Sequence, residues 1–320
     1  MNGVKRMSAT SGAIGRKRRR FFRREDLALY IMALPTVIFL LMFCYAPMFG
    51  LIMAFQDFNA TKGIFGSPLV GLRNFEYLFA TTDAWIITRN TVCYNLVFMA
   101  VNTVIAVIMA LMLSELTNRF LAKSLQIVYM LPYFLSWTVV AIVVSAFLDR
   151  EYGLVNKIIQ ATGGKGKTDW YKAKEIWPPL LVFIHAWKGV GYNTVLYLAV
   201  ISGISHDYYE AAVLDGATKF QQARYITLPH LRFVISISLI LSMGSIFRGD
   251  FGLFYSVTKN SGRLYAVTDV IDTYIYRGLI TLGNVGMSTA AGLYQSVVGF
   301  LVLLCANWVV TKIDPESAMF

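Results

Sequence analysis

Residues 210–229 read EAAVLDGATKFQQARYITLP and form the most polar long interval in the middle of a very apolar chain. The interval predicts two short helices joined by a hinge. Asp207 is the expected cap of the first helix, and Glu210, three residues later, is the expected acid of a capping box. Gly216 is the expected stop of this helix, because glycine adopts the left-handed conformation without a clash at Cβ.

A second helix is expected directly after the hinge. Thr218 and Gln221 repeat the capping-box spacing at its start. Pro229 has no backbone N–H group, so this helix is expected to end there, before the next apolar run begins. Capping at both helix starts predicts a rigid loop over residues 204–231.

The composition of the chain predicts an all-α polytopic membrane protein. Of the 320 residues, 57% are hydrophobic and 15% are charged, whereas a soluble domain carries about 25% charged residues. A spanning helix needs roughly 20 apolar residues. Six apolar runs approach or exceed that length, which predicts six transmembrane helices. They lie at about 27–55, 89–113, 125–148, 178–202, 232–256 and 286–311.

The net charge of +11 is concentrated near the N-terminus, where nine of the first 24 residues are Lys or Arg. Nucleic-acid binding could explain such a charge, but a basic arm lying on anionic membrane lipid fits this chain far better. We therefore predict a cytoplasmic arm over residues 1–26, a membrane domain over residues 27–311 and a short cytoplasmic tail over residues 312–320. Six spans place both termini in the cytoplasm, together with residues 204–231.

The sequence predicts no metal or redox centre, and no cofactor bound by this chain itself. The cysteines lie in apolar runs without zinc or redox spacing, which is typical of small core residues. The histidines form no metal-binding pattern. These residues are Cys44, Cys93, Cys305, His185, His206 and His230.

Residues 161–168 read ATGGKGKT and fit a relaxed nucleotide-binding P-loop pattern. A working P-loop needs a buried strand before it and a helix after it, so that backbone N–H groups surround the phosphates. Here a short amphipathic stretch precedes the pattern, and the sequence contains no sheet-forming series. A flexible loop rich in glycine and lysine is the better interpretation.

Charged residues inside the predicted spans indicate a translocation pathway. A charge near the bilayer centre costs at least about 2.5 kcal/mol, so it normally faces protein or a water-filled cavity. Arg248 and Asp250 lie among glycines, and a broken helix at membrane depth is tolerated where it lines a pathway. A structural ion pair between them is the alternative, and interfacial anchoring is the alternative for the aromatic residues. The predicted pathway residues are Trp187, Lys188, Asn193, Tyr197, Arg248, Asp250 and Tyr255.

The order Glu-Ala-Ala, three residues, Gly, nine residues, Ile, one residue, Leu-Pro resembles the EAA loop of permease subunits in binding-protein-dependent ABC importers. Many relatives have a proline before the first loop helix, where this chain has His206 and Asp207, so the start of that helix departs from the family pattern. Similarity to the polysaccharide and lipo-oligosaccharide permeases extends over nearly all of residues 25–320. The matching loop positions are Glu210, Ala211, Ala212, Asp215, Gly216, Ile226, Leu228 and Pro229.

The resemblance implies the type I ABC importer permease fold and a transport subunit that is not itself an enzyme. It implies uptake of oligosaccharides, acidic or neutral, across the bacterial cytoplasmic membrane. The implied partners are a second, different permease, two ATPase subunits or domains that bind ATP and magnesium, and an external solute-binding protein. The loop positions would contact the ATPase, although a capping role for Glu210 and plain helix propensity for Ala211 and Ala212 remain alternatives.

Two other functions are weighed against this one. A membrane-embedded enzyme acting on lipid-linked sugars would need paired carboxylates, for which Asp269 and Asp272 are the candidates at helical spacing. A channel or secondary transporter predicts internal repeats, and no convincing repeat is found in the sequence.

Overall fold

The computed structural model describes residues 24–164 and 167–313 of the chain. The predicted arm of residues 1–26 lies almost entirely outside these residues, as does most of the predicted tail of residues 312–320. Within the described ranges the regular secondary structure is helical, and the β-structure is an isolated antiparallel bridge between Gln56 and Leu69. The prediction of an all-α chain is therefore confirmed.

The α-helices of the described residues range from single turns to helices long enough to cross a bilayer. They are α1 (Arg24–Leu40), α2 (Gly63–Gly66), α3 (Arg73–Ala80), α4 (Asp83–Ser114), α5 (Arg119–Met130), α6 (Trp137–Leu148), α7 (Leu154–Ala161), α8 (Trp177–Ser202), α9 (His206–Leu214), α10 (Lys219–Gln222), α11 (Leu228–Met243), α12 (Tyr265–Thr268), α13 (Ile271–Ile280) and α14 (Val285–Ile313).

Wider and tighter helical turns extend several of these helices. π-Helical turns span Leu41–Tyr45, Ala223–Thr227 and Gly252–Val257, and 3-10 helices span Ala46–Phe55 and Leu131–Phe134. The backbone hydrogen bonds of these turns join residues three or five apart instead of four. They mark interruptions of the regular α-helix.

Four helices in the described part of the chain are both long and apolar enough to cross a membrane, and a bent pair can supply a fifth span. The predicted fourth span corresponds to α8, which has 26 residues but carries His185, Lys188 and Asn193 and is too polar to join this group. The count of six spans stays a prediction. The four long apolar helices are Leu29–Phe55, Asp83–Ser114, Lys219–Met243 and Val285–Trp308.

The predicted third span, residues 125–148, is wrong as a single straight helix. α5, extended to Phe134 by the 3-10 helix Leu131–Phe134, meets α6 at 98° across residues 135 and 136. Ser136 starts α6 by accepting the Val139 N–H at 3.3 Å. The Lys188 ammonium donates to the Tyr133 carbonyl at 2.8 Å and so holds the bend against α8.

The predicted fifth span, residues 232–256, is interrupted near Arg248 and Asp250, where the glycines of the sequence indicate a broken helix. α11 ends at Met243, and residues 244–251 are irregular apart from the first residue of the next helical turn. Gly252 allows that turn to pack against the bend, because a Cβ there would lie 2.2 Å from the Trp137 ring. We refer to residues 131–136 and 244–251 as the two breaks.

Side chains of neighbouring helices bind the backbone groups that the second break leaves free. Asn95 of α4 donates to the carbonyls of residues 246 and 248 at 2.9 and 3.0 Å. Gln295 of α14 donates to the Phe247 carbonyl at 2.6 Å, and Asp272 accepts the Gly249 N–H at 2.5 Å. Backbone polar groups at membrane depth need such internal partners, so the break is held in one conformation.

Three buried apolar clusters join the helices of residues 51–313. The first connects α4, α6, α8 and the turn Gly252–Val257, the second connects α4, α8 and α11, and the third connects α3, α4, α13 and α14. Their central residues are Tyr94, Val140, Trp177, Leu181 and Phe254 in the first, Ala106, Ala110, Val190, Tyr197 and Leu231 in the second, and Leu78, Ile87, Ile271 and Ala291 in the third.

The cysteines do not belong to these clusters. Cys44, Cys93 and Cys305 are exposed on their helices, so the prediction that they are core residues is wrong. Apolar runs in a membrane protein supply outward-facing positions as well as buried ones, and the sequence does not distinguish the two.

The loops opposite the loop of residues 204–231 are folded around a buried amide. Asn156, 1% exposed, donates to the carbonyls of Asp149, Arg150 and Thr168 at 3.2, 3.1 and 2.9 Å. Hydrogen bonds from the backbone N–H groups of Tyr152 and Glu151 lower the pKa of Asp149. These contacts make the loop after α6 an ordered part of the fold.

Close packing of α8 against the end of α5 predicts a strong effect of one added methyl group. A Cβ at Gly191 would lie 2.0 Å from the Tyr129 carbonyl oxygen, so Gly191→Ala should destabilise the protein by about 1–3 kcal/mol. Thermal unfolding in detergent should show a lower midpoint, by roughly 2–4 °C per kcal/mol. Gly189→Ala is the matched control, because its Cβ would meet Asn102 at an ordinary 3.6 Å. Equal midpoints for the two variants would contradict the packing described here.

Candidate functional site

The loop of residues 204–231, which we call the elbow, begins with α9. Ser205 caps this helix, since its hydroxyl accepts the Asp207 N–H at 3.3 Å. The prediction of Asp207 as the cap is therefore wrong, and Asp207 lies in the first helical turn. Glu210 is the fifth residue of α9, beyond the position of a capping-box acid, so that predicted role is wrong as well.

The hinge of the elbow is built as the sequence predicts. Gly216 has φ +77°, which is the left-handed conformation that favours glycine. The Gly216 N–H donates to the Val213 carbonyl at 3.0 Å, and the Ala217 N–H donates to the Ala212 carbonyl at 2.8 Å. These two hydrogen bonds terminate α9, and Asp215 is its C-cap residue.

The second helix of the elbow has the predicted capping box. The Gln221 N–H donates to the Thr218 hydroxyl at 3.3 Å, and the Thr218 N–H donates to the Gln221 side-chain oxygen at 2.7 Å. The predicted end at Pro229 is wrong, however. The helix continues through the π-helical turn Ala223–Thr227 into α11, so that Lys219–Met243 is one helix of 25 residues.

The π-helical turn explains how the helix passes Pro229. A proline lacks an N–H donor, and in an α-helix its ring clashes with the carbonyl four residues earlier. Here the Leu228 N–H donates to the Ala223 carbonyl five residues back, and the widened turn relieves the crowding just before the proline. Pro47 follows the π-helical turn Leu41–Tyr45 at the same spacing.

Side-chain contacts tie the two halves of the elbow together and to the turn after α4. The Tyr209 and Thr227 hydroxyls are 2.9 Å apart, and Gln222 donates to the Ala217 carbonyl at 3.1 Å. Lys219 pairs with Glu115 at 2.9 Å. The elbow therefore lies at the α4–α5 end of the bundle and is braced as a unit.

Several large apolar side chains of the elbow are uncovered. Leu214 is 88% exposed, Phe220 73% and Tyr225 70%. Glu210 is also exposed, and its carboxylate joins none of the three ion pairs found in the described ranges. Sequence reasoning selected Glu210 but missed the apolar residues, although their polar surroundings marked them as surface positions.

The other predicted elbow positions differ in exposure. Most of them are on the surface, whereas Ala212 and Ile226 are half-buried. The exposed positions are Ala211, Asp215, Gly216, Leu228 and Pro229.

The predicted pathway residues lie in different regions of the bundle. Asn193 and Tyr197 line a cavity of about 220 Å³ between α4, α8 and α11. Asn102 lines the same cavity, and its buried side-chain oxygen has no partner within the described part of the chain. Trp187 instead lines an apolar cavity of about 300 Å³ beside Pro132, so the structure does not bring it together with Asn193.

The remaining pathway residues lie at the two breaks. Lys188 contacts the first break, with its ammonium 5.4 Å from the Tyr133 ring centre and 5.2 Å from the Trp137 ring centre. Arg248 and Asp250 lie in the second break and form no ion pair with each other. Tyr255 stacks on Phe251 and meets the edge of Tyr276, with ring centres 4.9 and 5.0 Å apart.

Comparisons with known proteins define the class of this fold. Residues 102–315 match the family described as binding-protein-dependent transport system inner membrane component. The chain belongs to this family of multi-pass membrane permeases.

Two individual relatives match the chain over most of its length. The chain is 33% identical to protein LplB of Bacillus subtilis over 299 residues, which cover 92% of each chain. It is 33% identical over 289 residues to the polygalacturonan/rhamnogalacturonan transport system permease protein YteP of the same organism, covering 90% of this chain and 89% of the relative.

Solved structures confirm the permease fold. A chain in the crystal structure of a bacterial ABC transporter involved in the import of the acidic polysaccharide alginate superimposes with a TM-score of 0.82 at 31% identity, covering 91% of this chain and 97% of that one. A second structure, of a bacterial alginate ABC transporter in complex with an alginate pentasaccharide-bound periplasmic protein, gives 0.81 at 31% identity, with coverage of 91% and 96%. The predicted ABC importer permease fold is therefore correct.

The hinge geometry predicts that Gly216→Ala loosens the elbow. No atom lies within 4 Å of the added Cβ, so the cost is that of a left-handed alanine, about 1–2 kcal/mol. Hydrogen exchange of the backbone amides in residues 211–218 should accelerate by roughly 5–30-fold. Gly203→Ala is the control, because the structure gives Gly203 a φ of −89°. Unchanged exchange in Gly216→Ala would contradict the assigned hinge.

Proposed function

We propose that this chain is a permease subunit of an ABC importer that takes up oligosaccharides, acidic ones included, from an external solute-binding protein. The observation that carries the proposal is the braced elbow, whose Leu214 side chain and Glu210 carboxylate are uncovered in the described chain. The names of the sugar-transport relatives and the alginate importers support the substrate class.

The elbow is the proposed contact with an ATPase subunit. Exposed apolar side chains next to a charge are typical of a surface that a partner covers. Leu214 would enter the partner surface, Glu210 would meet a cationic or backbone donor, and Ala211 and Ala212 would allow close approach. ATP and magnesium belong to the ATPase, where hydrolysis takes place.

The elbow has a mechanical path to the interior of the bundle. Lys219–Met243 is one helix, so a displacement of the elbow moves the start of the second break. The turn that follows this break packs through Gly252 on Trp137, the first residue of α6. Closure of the ATPases on ATP would rock the permease pair and open the route outward, and hydrolysis would reset it.

The two breaks are the proposed wall of the translocation route. Irregular backbone at membrane depth is tolerated where it is buried in protein or lines a cavity. Asn193 and Tyr197 extend the polar surface toward the elbow, and Tyr255 extends it in the opposite direction. Trp187 remains a proposed route residue, on the other side of the first break.

The proposed assembly contains a second, different permease, two ATPase subunits or domains and a solute-binding protein. Both termini and the elbow lie in the cytoplasm of a bacterial cell. The folded loops opposite the elbow, which include the Asn156 cluster, face outward and receive the solute-binding protein.

The contacts of two carboxylates argue against an enzyme acting on lipid-linked sugars. Asp269 pairs with Arg277 at 2.5 Å. Asp272 accepts hydrogen bonds from Gly249 and from Gln295. Since both carboxylates are occupied by internal partners, neither is placed as a free general acid or base.

The proposed ATPase contact predicts uncoupling by a charge in the elbow. Ala212→Asp should lower ATP-driven oligosaccharide uptake into proteoliposomes at least tenfold, equivalent to about 1.4 kcal/mol, because a buried charge opposes docking. The amount of permease in the membrane should be unchanged. Uptake at the wild-type rate would contradict the proposal.

Copurification of the ATPase subunit distinguishes loss of the elbow contact from general misfolding of the permease. Leu214→Asp should lose the ATPase subunit on purification, because it places a charge on the exposed apolar patch of the elbow. Leu72→Asp, also at an exposed leucine but before α3, should retain the ATPase. Equal retention by the two variants would argue against an ATPase contact at the elbow.

A further inference from the structure

Acidic and basic side chains lie at the two breaks, and their hydrogen-bond partners differ. Asp272 accepts the Gly249 N–H at 2.5 Å and the Gln295 amide at 3.0 Å. Asp250 accepts the Leu253 N–H at 3.4 Å, at the start of the turn Gly252–Val257. Both acids are thus bound to donors of the protein itself, and their charges stabilise backbone ends.

The basic side chains at the breaks make no direct contact with a carboxylate in the described ranges. Lys188 donates to the Tyr133 carbonyl and lies near two aromatic rings. Arg248 is exposed and makes no side-chain hydrogen bond in the described ranges. The ion pairs found there are Lys172–Asp169, Lys219–Glu115 and Arg277–Asp269. Neither Lys188 nor Arg248 therefore forms a direct ion pair, although Lys188 feels the charge of Asp250 and Arg248 feels that of Asp272 through space.

An ionisable side chain inside a membrane domain marks a functional site whose partner must be named. Asp250 and Asp272 accept hydrogen bonds from backbone N–H groups, so an acceptor for the unused N–H donors of Lys188 and Arg248 must come from elsewhere. A carboxylate on the transported molecule would supply it as that molecule passes the breaks.

We infer that Lys188 and Arg248 bind the carboxylate of an acidic sugar unit and thereby select uronate-containing oligosaccharides over neutral ones. This inference rests on the proposed transport function. The planar guanidinium of Arg248 can bind a carboxylate through two parallel hydrogen bonds. Lys188 adds a point charge, and the rings of Tyr133 and Trp137 offer an apolar surface for the face of a sugar ring.

A purely structural role for Lys188 would require its hydrogen bond to the Tyr133 carbonyl, and not its positive charge. Holding the bend requires a donor to the Tyr133 carbonyl, and its loss would affect every substrate equally. Selecting a carboxylate requires the positive charge, and its loss would affect acidic substrates alone. The ratio of acidic to neutral uptake distinguishes the two roles.

The test uses the complete complex with its own partner subunits and solute-binding protein in proteoliposomes. The two probes are an oligouronide and its carboxyl-reduced, neutral counterpart of the same length. Uptake of each is measured for the wild type, Lys188→Met, Lys188→Arg and Arg248→Gln. Arg232→Gln, at an exposed position of α11 outside the breaks, is the matched control. Comparing ratios between variants cancels any preference of the solute-binding protein.

The acidic-to-neutral ratio should fall at least tenfold in Lys188→Met and in Arg248→Gln. It should stay near the wild-type value in Lys188→Arg and Arg232→Gln. Arg248→Gln remains informative if Lys188→Met does not fold, because the Arg248 side chain has no internal hydrogen bond that the substitution could break.

An unchanged ratio in Arg248→Gln, or a parallel loss of both sugars in Lys188→Met, would overturn the inference while leaving transport by this chain intact. A wild-type complex that transports neither sugar, and whose ATPase is not stimulated by loaded solute-binding protein, would instead remove the proposed function and the inference with it.

Discussion

Satisfaction of backbone polar groups at membrane depth is the constraint on which the rest of this structure depends. An interrupted helix exposes N–H and C=O groups that lipid cannot hydrogen-bond. The bundle supplies partners from neighbouring helices: Asn95 and Gln295 bind carbonyls of the second break, Asp272 binds an N–H there, and Lys188 binds a carbonyl of the first. Two broken helices can therefore be ordered within the bundle.

The second organising feature is continuity between the elbow and the breaks. The helix that starts at Lys219 passes Pro229 and ends where the second break begins. Its π-helical turn keeps the helix continuous at the cost of regular hydrogen bonding, and Tyr209 braces it against α9. One helix thus connects the elbow to the start of the second break, as the proposed coupling requires.

Local chemistry was read correctly from the sequence where the interacting groups are close in the chain. Gly216 and the Thr218–Gln221 pair act within a few residues, so their spacing alone predicts the contacts. The prediction that Asp207 caps α9 was wrong because Ser205, two residues earlier, caps the helix instead. The predicted helix end at Pro229 was wrong because the π-helical turn before the proline keeps the helix continuous. The glycines indicated the break near Arg248, but the contacts that hold it, such as those of Asn95, come from distant segments.

The sequence by itself determined the helical membrane class, the Gly216 hinge, the Thr218–Gln221 capping box and the family, because composition and short-range spacing carry that information. It also identified Lys188, Arg248 and Asp250 as unusual charges. Only the tertiary structure decided that α5 and α6 bend at 98°, that the acids at the breaks accept backbone N–H groups and that Lys188 donates to a carbonyl of the first break. Those properties depend on which atoms of distant segments lie within hydrogen-bonding distance, and packing of the bundle alone sets that.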